Sequence, residues 1–556
     1  MKITVTSLAV IACLLVAVDG ARILAIFPFQ AKSHYNVYEP LLKRLSARGH
    51  EIVAVTHFPQ RTRLANFTDV DVSSTLPSLV SSVPFSDFGE FTILQNIRYV
   101  TRYLGVEICE PVLNHPKVKR IIETRERFDM LIIEIFATDC FLGIAHALSI
   151  PKVVGAISSV ALPWSNEVLR NPENPSYIPN WFSPYTGRMS FLERSINTVG
   201  LLITKLIYRT VSDGPSYEIA RKHFGYDLPD FGVLRSRISL ILTNGHPAVS
   251  TPRPFAPGFK EIGGIHIPIS GPKPLPVDLR DYLDSHGRNG VIYFSLGSQI
   301  DPSTIPSQVF AALYRAFEQV PQQILWKCAE GRMPPLPGNV KCIEWAPQLS
   351  VLCHPNTRLF ITHGGLLGSQ EAVYCGVPIL GIPLFGDQHL NMAYFEEKGL
   401  ALRLNFRQLS YEQLSSSLNE LLSNNSYTET ARKASIQFRD YLVPPLEEAV
   451  YWIEHTLRHD ADVLKTTATE LTWYQYLLLD VPLDDCSYVW QVSAEERCEW
   501  VSNTEDCYSD SMIQYTILLF CYFKSENAAT LAGGLSLVLL WLFYLFLILG
   551  STADNL

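Results

Sequence analysis

Residues 22–56 read RILAIFPFQAKSHYNVYEPLLKRLSARGHEIVAVT, and this stretch decides the fold class. Residues 22–28 form a short apolar run typical of a buried strand, and residues 51–56 form a second one. Between them, residues 37–47 show the spacing of a helix that Gly49 ends. Parallel neighbouring strands need a crossover connection, which is usually a helix, so this succession indicates a βαβ unit. The sequence therefore predicts an α/β fold on a parallel sheet.

Further apolar runs of strand type follow in two series. The first continues at 129–135, 153–157 and 239–243, and the second comprises 290–296, 323–327, 340–343, 358–362 and 378–382. Between the series, residues 266–278 (HIPISGPKPLPVD) are rich in Pro and suited to a hinge. Residues 447–458 have the pattern of a closing helix. We predict two doubly wound domains, 21–270 and 271–460, followed by a linker at 461–481, with ligands at the carboxyl ends of the strands.

Charge excludes one large class of partner. The chain of 556 residues has a formal net charge of −9 and a pI near 5.9. It therefore lacks the basic footprint by which proteins bind nucleic acid. Hydrophobic residues make up 47% of the chain, which indicates membrane segments.

Two apolar segments predict entry into the secretory pathway. Residues 1–20 are typical of a cleaved signal peptide, with an uncleaved anchor as the alternative. Residues 528–549 are apolar and long enough to span a bilayer as a helix. Together they predict a single-pass type I membrane protein whose bulk is luminal. The sequons at Asn66 and Asn424 agree with a glycoprotein in that compartment.

Nine of the eleven cysteines fall into two groups. Five lie in apolar or motif-rich surroundings and are expected to be buried thiols: Cys140, Cys328, Cys342, Cys353 and Cys375. Four lie close together in the segment 482–527 and could form two disulfides in an oxidising lumen, with three alternative pairings: Cys486, Cys498, Cys507 and Cys521. No zinc-type spacing occurs, so we expect no metal.

The stretch 345–388 has the parts that a nucleotide-sugar site needs. It reads WAPQLSVLCHPNTRLFITHGGLLGSQEAVYCGVPILGIPLFGDQ. Trp345 offers a flat face to a base. His363 and the two glycines after it follow a β-branched run, where backbone amides at a helix start suit a diphosphate. Glu371 offers a carboxylate to ribose, and the Asp-Gln pair at 387–388 offers polar groups to the sugar.

With this signature the chain resembles the animal UDP-glycosyltransferases, in an insect-like form, over about residues 22–480. The resemblance implies the GT-B fold, in which two Rossmann-like domains face each other. It also implies inverting transfer of a hexose, with glucose expected, from a UDP-sugar to a hydroxyl of a small lipophilic molecule. The UDP-sugar is a co-substrate, and neither a cofactor nor a metal is implied. The family's donor-binding residues carry over to Ser298, Trp345, Gln348, His363, Gly364, Gly365, Gly368, Glu371, Asp387 and Gln388.

The acceptor hydroxyl needs a general base, because its pKa lies far above 7. His34, on the loop after the first strand, matches the family's catalytic histidine. A carboxylate on its other ring nitrogen would orient the imidazole and stabilise the imidazolium. Asp139 is the expected partner, and Glu134, five residues earlier, is the alternative. A non-catalytic lipophile-binding membrane protein of the same fold is the alternative to an enzyme.

From residue 482 the likeness changes. Residues 482–556 resemble the amino-terminal end of a mitochondrial-type sodium/calcium exchanger, up to that exchanger's first span at 528–549. We therefore expect either a fused gene model or a natural gene fusion in which a foreign span replaces the usual anchor of a glycosyltransferase. The expected location is the membrane of the endoplasmic reticulum or another secretory compartment, with a role in detoxification. The sequence leaves the oligomeric state open, a homo-oligomer included.

Overall fold

The structure, a computed structural model, describes residues 20–85 and 91–476. Two compact units divide the chain between Thr469 and Glu470, and the fold below belongs to the first. The predicted signal peptide up to residue 19, the Cys-rich segment 482–527 and the span 528–549 lie outside the described residues. Among the helices of the described residues, none is both long and apolar enough to cross a bilayer.

The first domain is built on a parallel sheet. Its strands are β1 (Arg22–Phe27), β2 (Glu51–Thr56), β3 (Phe67–Asp71), β4 (Val83–Pro84), β5 (Met130–Glu134), β6 (Lys152–Ile157), β7 (Ile238–Thr243) and β8 (Phe259–Glu261). Seven of them pair in the order β3-β2-β1-β5-β6-β7-β8, and β4 stands apart. The interiors of the central strands are buried and apolar, as expected of a sheet covered on both faces. Since β1 lies between β2 and β5, the loops after β1 and β5 meet at one edge.

Helices surround this sheet. They are α1 (Lys32–Ala47), α2 (Ile93–Arg98), α3 (Cys109–Leu113), α4 (Pro116–Glu123), α5 (Leu142–Ala147), α6 (Ser165–Val168), α7 (Phe191–Ile207), α8 (Gly214–Phe224) and α9 (Phe231–Ser236). The first of these buries Tyr35, Tyr38 and Leu41 against the sheet. It ends where Gly49 adopts a φ of +99°, a conformation that favours glycine. The predicted βαβ unit is therefore confirmed.

The second domain repeats this architecture. Its strands are β9 (Val291–Ser295), β10 (Ile300–Asp301), β11 (Gln323–Lys327), β12 (Val340–Ile343), β13 (Thr357–Thr362), β14 (Ile379–Gly381) and β15 (Ala401–Arg403). Six of them form a parallel sheet in the order β12-β11-β9-β13-β14-β15, which is the doubly wound arrangement. Its helices are α10 (Val277–Ser285), α11 (Ser307–Glu318), α12 (Gln348–Leu352), α13 (Leu366–Cys375), α14 (Gln388–Glu397), α15 (Tyr411–Ser423) and α16 (Asn425–Arg439).

The chain crosses between the domains twice. The first crossing follows β8, and the second leads from α16 to α17 (Pro445–Arg458), which packs against α1 and the first sheet. The crossings touch each other, because a Cβ on Gly264 would lie 2.9 Å from the ring of Phe438. The predicted closing helix thus belongs by its packing with the first domain. A short helix, α18 (Trp473–Tyr476), lies in the second unit.

A second connection between the domains is not covalent. Strand β4 of the first domain pairs with β10 of the second as a two-stranded parallel sheet. The amide of Ser81 donates to the carbonyl of Ser298 at 2.8 Å, and the amide of Val83 donates to that of Gln299 at 3.1 Å. The loop after β9 is therefore hydrogen-bonded to the first domain.

All ten strands predicted in the sequence are confirmed within one or two residues at each end. The prediction of buried thiols is wrong for the five cysteines, since the structure pairs them in disulfides. The pairs are Cys109–Cys140, Cys328–Cys342 and Cys353–Cys375. Apolar surroundings fit a buried thiol and a buried disulfide equally well, so the residue pattern could not separate the two.

Candidate active site

One cleft lies where the carboxyl ends of the two sheets face each other, as the doubly wound pattern predicts. The first domain contributes residues that follow β1, β5 and β6, and the second contributes residues that follow β9, β13 and β14. The cleft brings together His34 and all the predicted donor residues except Gly364, which lies beside it: Ser298, Trp345, Gln348, His363, Gly365, Gly368, Glu371, Asp387 and Gln388. It does not include Asp139.

The end of the cleft predicted to bind the base and ribose contains Trp345, Gln348 and Glu371. Trp345 is 54% exposed, so its ring is available as a stacking surface. Gln348 begins α12 and donates from Nε2 to Glu371 Oε2 at 2.7 Å. Gly368 leaves room for that amide, because a Cβ there would lie 3.1 Å from Gln348 Nε2. Burial raises the pKa of Glu371 to about 7, although the hydrogen bond from Gln348 lowers it.

The part of the cleft predicted to bind the diphosphate is built around His363, directly after β13. Its ring fits between two glycines, since a Cβ on Gly297 would lie 2.5 Å from it and one on Gly365 2.6 Å. Gly364 has a φ of +83°, and Gly365 is the N-cap of α13. Burial, and then the nearby Lys327, lower the pKa of His363 to about 4, so the imidazole is neutral near pH 7. A neutral ring and the first amides of a helix can donate hydrogen bonds to phosphate oxygens.

The part of the cleft predicted to bind the sugar lies at the start of α14. Gln388 Oε1 accepts from the amides of Leu384 at 2.9 Å and Phe385 at 3.1 Å, so the amide oxygen holds this loop, and Gln388 also lines the cleft. Burial raises the pKa of Asp387 above its usual range. The amide of Gly386 donates to Asn96 Oδ1 of the first domain at 3.2 Å, which ties this loop to the opposite wall.

His34, predicted to be the general base, lies in the first turn of α1. Its Nδ1 lies 2.6 Å from Glu134 Oε1 and 2.7 Å from Ser158 Oγ. A buried carboxylate accepts hydrogen bonds, so Nδ1 carries the proton and Nε2 is the basic nitrogen. The rings of Phe29 and Phe136 pack against the imidazole with centroids 4.3 and 4.6 Å away. The side chain is thus positioned to accept a proton.

Comparisons with known proteins identify the family of this chain. Residues 22–484 match the family described as UDP-glucoronosyl and UDP-glucosyl transferase. This chain belongs to that family. It is 38% identical over 487 residues to UDP-glucosyltransferase 2 of Dactylopius coccus, covering 86% of this chain and 93% of that protein. It is 30% identical over 469 residues to UDP-glucuronosyltransferase 2B17 of Homo sapiens, covering 81% and 87% respectively. The protein is therefore a UDP-glycosyltransferase that binds a UDP-sugar.

A solved structure supports the GT-B fold of this UDP-glycosyltransferase. The UDP-glucose:anthocyanidin 3-O-glucosyltransferase in complex with UDP is similar with a TM-score of 0.56 and 18% identity. The match covers 79% of this chain and 99% of that one. At this identity the likeness bears on the fold alone.

The structure corrects the predicted partner of His34. Asp139 Oδ2 lies 2.6 Å from Arg235 Nη2 and 2.9 Å from the hydroxyl of Tyr208, inside the first domain. Glu134, which was the alternative, makes the contact. The reason is positional: Glu134 is the last residue of β5, directly beside the end of β1, whereas Asp139 comes five residues later and has left that edge.

Two cleft residues of this UDP-glycosyltransferase were missed in the sequence. Ser158 directly follows β6 and contacts the imidazole of His34. Lys327 ends β11, and its Nζ donates to the carbonyl of Gly297 at 2.7 Å. Both lie at the carboxyl end of a strand, which is the signal that could have identified them.

Proposed function

We propose that this UDP-glycosyltransferase transfers glucose, with inversion, from UDP-glucose to a hydroxyl of a small lipophilic acceptor, with His34 as the general base. The contact between His34 Nδ1 and Glu134 Oε1 is the observation that supports this most strongly. It leaves Nε2 to take the acceptor proton, while Glu134 stabilises the imidazolium that results. The oxygen of the acceptor then forms a bond to the anomeric carbon as the bond to UDP breaks.

The acceptor wall supports a lipophilic molecule. The first domain lines its part of the cleft with apolar side chains: Phe29, Val100, Leu104, Phe136 and Trp181. The indole of Trp181 donates to Ser159 Oγ at 3.3 Å, so its polar atom is already bonded and the ring remains apolar. Such a surface favours flat or branched hydrophobic groups that carry one hydroxyl.

The sugar site supports a neutral hexose. The described residues that line the cleft include two lysines, Lys273 and Lys327, but no arginine, and the carboxyl of Asp387 lies close enough to His34 to interact with it electrostatically. A carboxyl accepts hydrogen bonds from neutral sugar hydroxyls and repels a uronate. UDP-glucose therefore fits this end better than UDP-glucuronate.

The test is product formation by the full chain with UDP-glucose or UDP-glucuronate and a panel of phenols. We expect turnover with UDP-glucose, and a loss of about 10²- to 10⁴-fold in kcat for His34→Ala. Equal product from wild type and His34→Ala would contradict the role of His34. Tight binding of lipophiles without turnover would instead favour the carrier.

We further propose that the enzyme works as a type I membrane protein with the described residues luminal. The three disulfides suit an oxidising compartment, and Asn66 of the first sequon is exposed. The family match ends at residue 484, near where the exchanger-like tail begins, so the span 528–549 would be the anchor. Transcripts that cross the junction at 481–482, together with endoglycosidase digestion of the expressed protein, test both parts.

A further inference from the structure

Two lysines from opposite domains lie over the same ring. Lys32 is the first residue of α1, and its Nζ lies 4.8 Å from the ring centroid of Trp345. Lys327 ends β11 in the second domain, and its Nζ lies 5.0 Å from the same centroid. The ring that offers its face to the base thus has an ammonium from each side of the cleft beside it.

This pair of charges lacks a counterion. Among residues 20–85 and 91–476, no carboxylate lies within ion-pair distance of Lys32 or Lys327. Lys327 donates its hydrogen bond to an uncharged group, the backbone carbonyl of Gly297. Burial, and then the charge of Lys32, lower the pKa of Lys327 to about 8, which means that Lys32 disfavours the charged form of Lys327. Two close cations in a cleft are stabilised when an anion enters.

The position of Lys32 is itself unfavourable for folding. The N-terminal end of a helix carries partial positive charge, so acidic residues are preferred in the first turn. In α1 the first turn contains no acidic residue and begins with a lysine. The protein as a whole has a net charge of −9, so the positive charge at this site is opposite in sign to that of the whole chain. Such a local conflict is typical of a residue kept for function.

The proposed donor is an anion of matching charge. The diphosphate of a UDP-sugar carries two negative charges and gains another when UDP leaves. His363 is neutral near pH 7 because burial lowers its pKa to about 4, and helix amides supply only partial charge. Full positive charge near the base platform therefore comes from the lysines.

We propose that Lys32 and Lys327 form a cross-cleft clamp that binds the diphosphate of the UDP-sugar, with Lys32 leaving the ring of Trp345 as uracil stacks on it. This rests on the proposed function only in taking the donor to be a UDP-sugar. Because Lys32 lies two residues before His34 in α1, the clamp also joins donor binding to the helix that carries the general base.

The test compares the binding of uridine, UMP and UDP to the full chain by titration calorimetry. The variants are Lys32→Met and Lys327→Met, which keep an unbranched side chain while removing the charge. We expect UDP to bind about ten- to a hundredfold more weakly to each, because a charge-assisted contact is lost. Uridine should bind as well as to wild type or more tightly. Added salt should narrow the difference for UDP.

The matched control is Lys43→Met, on the same helix. Lys43 pairs with Glu39 at 2.8 Å on an exposed face, so its loss changes net charge equally without touching the cleft. Tighter binding of both uridine and UDP to Lys32→Met would overturn the clamp, because Lys32 would then only cover the ring. Equal weakening for uridine and UDP would overturn it too. Wild-type binding of UDP without sugar transfer would contradict the proposed function and leave the clamp standing.

Discussion

Replacing Glu134 by Gln should lower the turnover of the enzyme without lowering the stability of its fold. The carboxylate lies 2.6 Å from His34 Nδ1 and is buried, so it stabilises the imidazolium in a site with little solvent. Glutamine keeps a hydrogen-bond acceptor but loses the charge. Ser158, 2.7 Å from the same nitrogen, still helps to hold the ring. We therefore expect kcat to fall by about 10²- to 10³-fold, at the lower end of general-base effects.

Asp139→Asn is the matched comparison, because it removes the carboxylate that was predicted from the sequence to be the partner of His34. This carboxylate accepts from Arg235 and Tyr208 in a buried cluster, where Arg235 also contacts Asp213. Breaking a buried ion pair costs about 3–5 kcal/mol, and the remaining aspartate keeps the loss near the lower value. We expect kcat of the folded Asp139→Asn protein to stay within about twofold of wild type, since no reacting group is changed.

The two variants are measured by kcat at saturating UDP-glucose and by urea unfolding of the same preparations. Glu134→Gln should lose turnover and keep its unfolding midpoint, and Asp139→Asn should do the reverse. The reasoning is refuted if Asp139→Asn loses turnover without loss of stability while Glu134→Gln remains active. That result would mean that the observed pairing of His34 is not the one used in catalysis.

Three further changes test the donor half. Gly297→Ala places a Cβ 2.5 Å from the imidazole of His363 at a backbone φ of +82°, so the variant should bind UDP at least about tenfold more weakly. The control is Gly399→Ala, which has a similar φ of +69° but no atom within 4 Å of the added Cβ. Equal loss of UDP affinity in both variants would contradict the steric explanation. Burial raises the pKa of Glu371 from 4.5 to about 7, because the buried site favours the protonated carboxyl. The contribution of this group to the stability of the fold is therefore fully present below pH 4.5 and is lost as the pH rises through 7. Glu371→Gln should therefore raise the melting temperature most above pH 7 and not at all near pH 4, while weakening UDP binding; a pH-independent difference would contradict this. Replacing both Cys353 and Cys375 by Ala removes a disulfide between residues 22 positions apart, which should lower the free energy of unfolding in urea by about 3 kcal/mol. In the variant, a reductant should no longer lower stability through this disulfide.

The central strands were predictable because a parallel sheet covered on both faces needs continuous apolar runs, as in β1, β5 and β9. Strands that lack such runs were missed. The sequence of β3, FTDVD, is half polar, and β8 and β15 have only three residues each. Their pairing depends on the neighbouring strand rather than on their own composition.

The site was predictable where residues are close in sequence and ambiguous where they are not. The second domain holds its donor residues on one continuous stretch that turns from β13 into α13, so local spacing was enough. The partner of His34 lies 100 residues away, and choosing between Glu134 and Asp139 required knowing where β5 ends. The two lysines of the clamp come from different domains, and no pattern along the chain brings them together.

The two crossings of the chain beside Gly264 and Phe438 define how the halves of the molecule can move. A domain that is connected to the other at two adjacent points can rotate about them but cannot slide freely. The two crossings therefore act as a hinge, in which the backbone bends without breaking contacts. The pairing of β4 with β10 is different, since its hydrogen bonds must break if the strands separate. Four of them, donated by Ser81, Ser82, Val83 and Phe85, join the domains there, each worth about 1 kcal/mol. These bonds would have to break if the cleft opens to exchange UDP, as would the bond from the Gly386 amide to Asn96, and exchange of the Val83 amide with solvent would report each opening event.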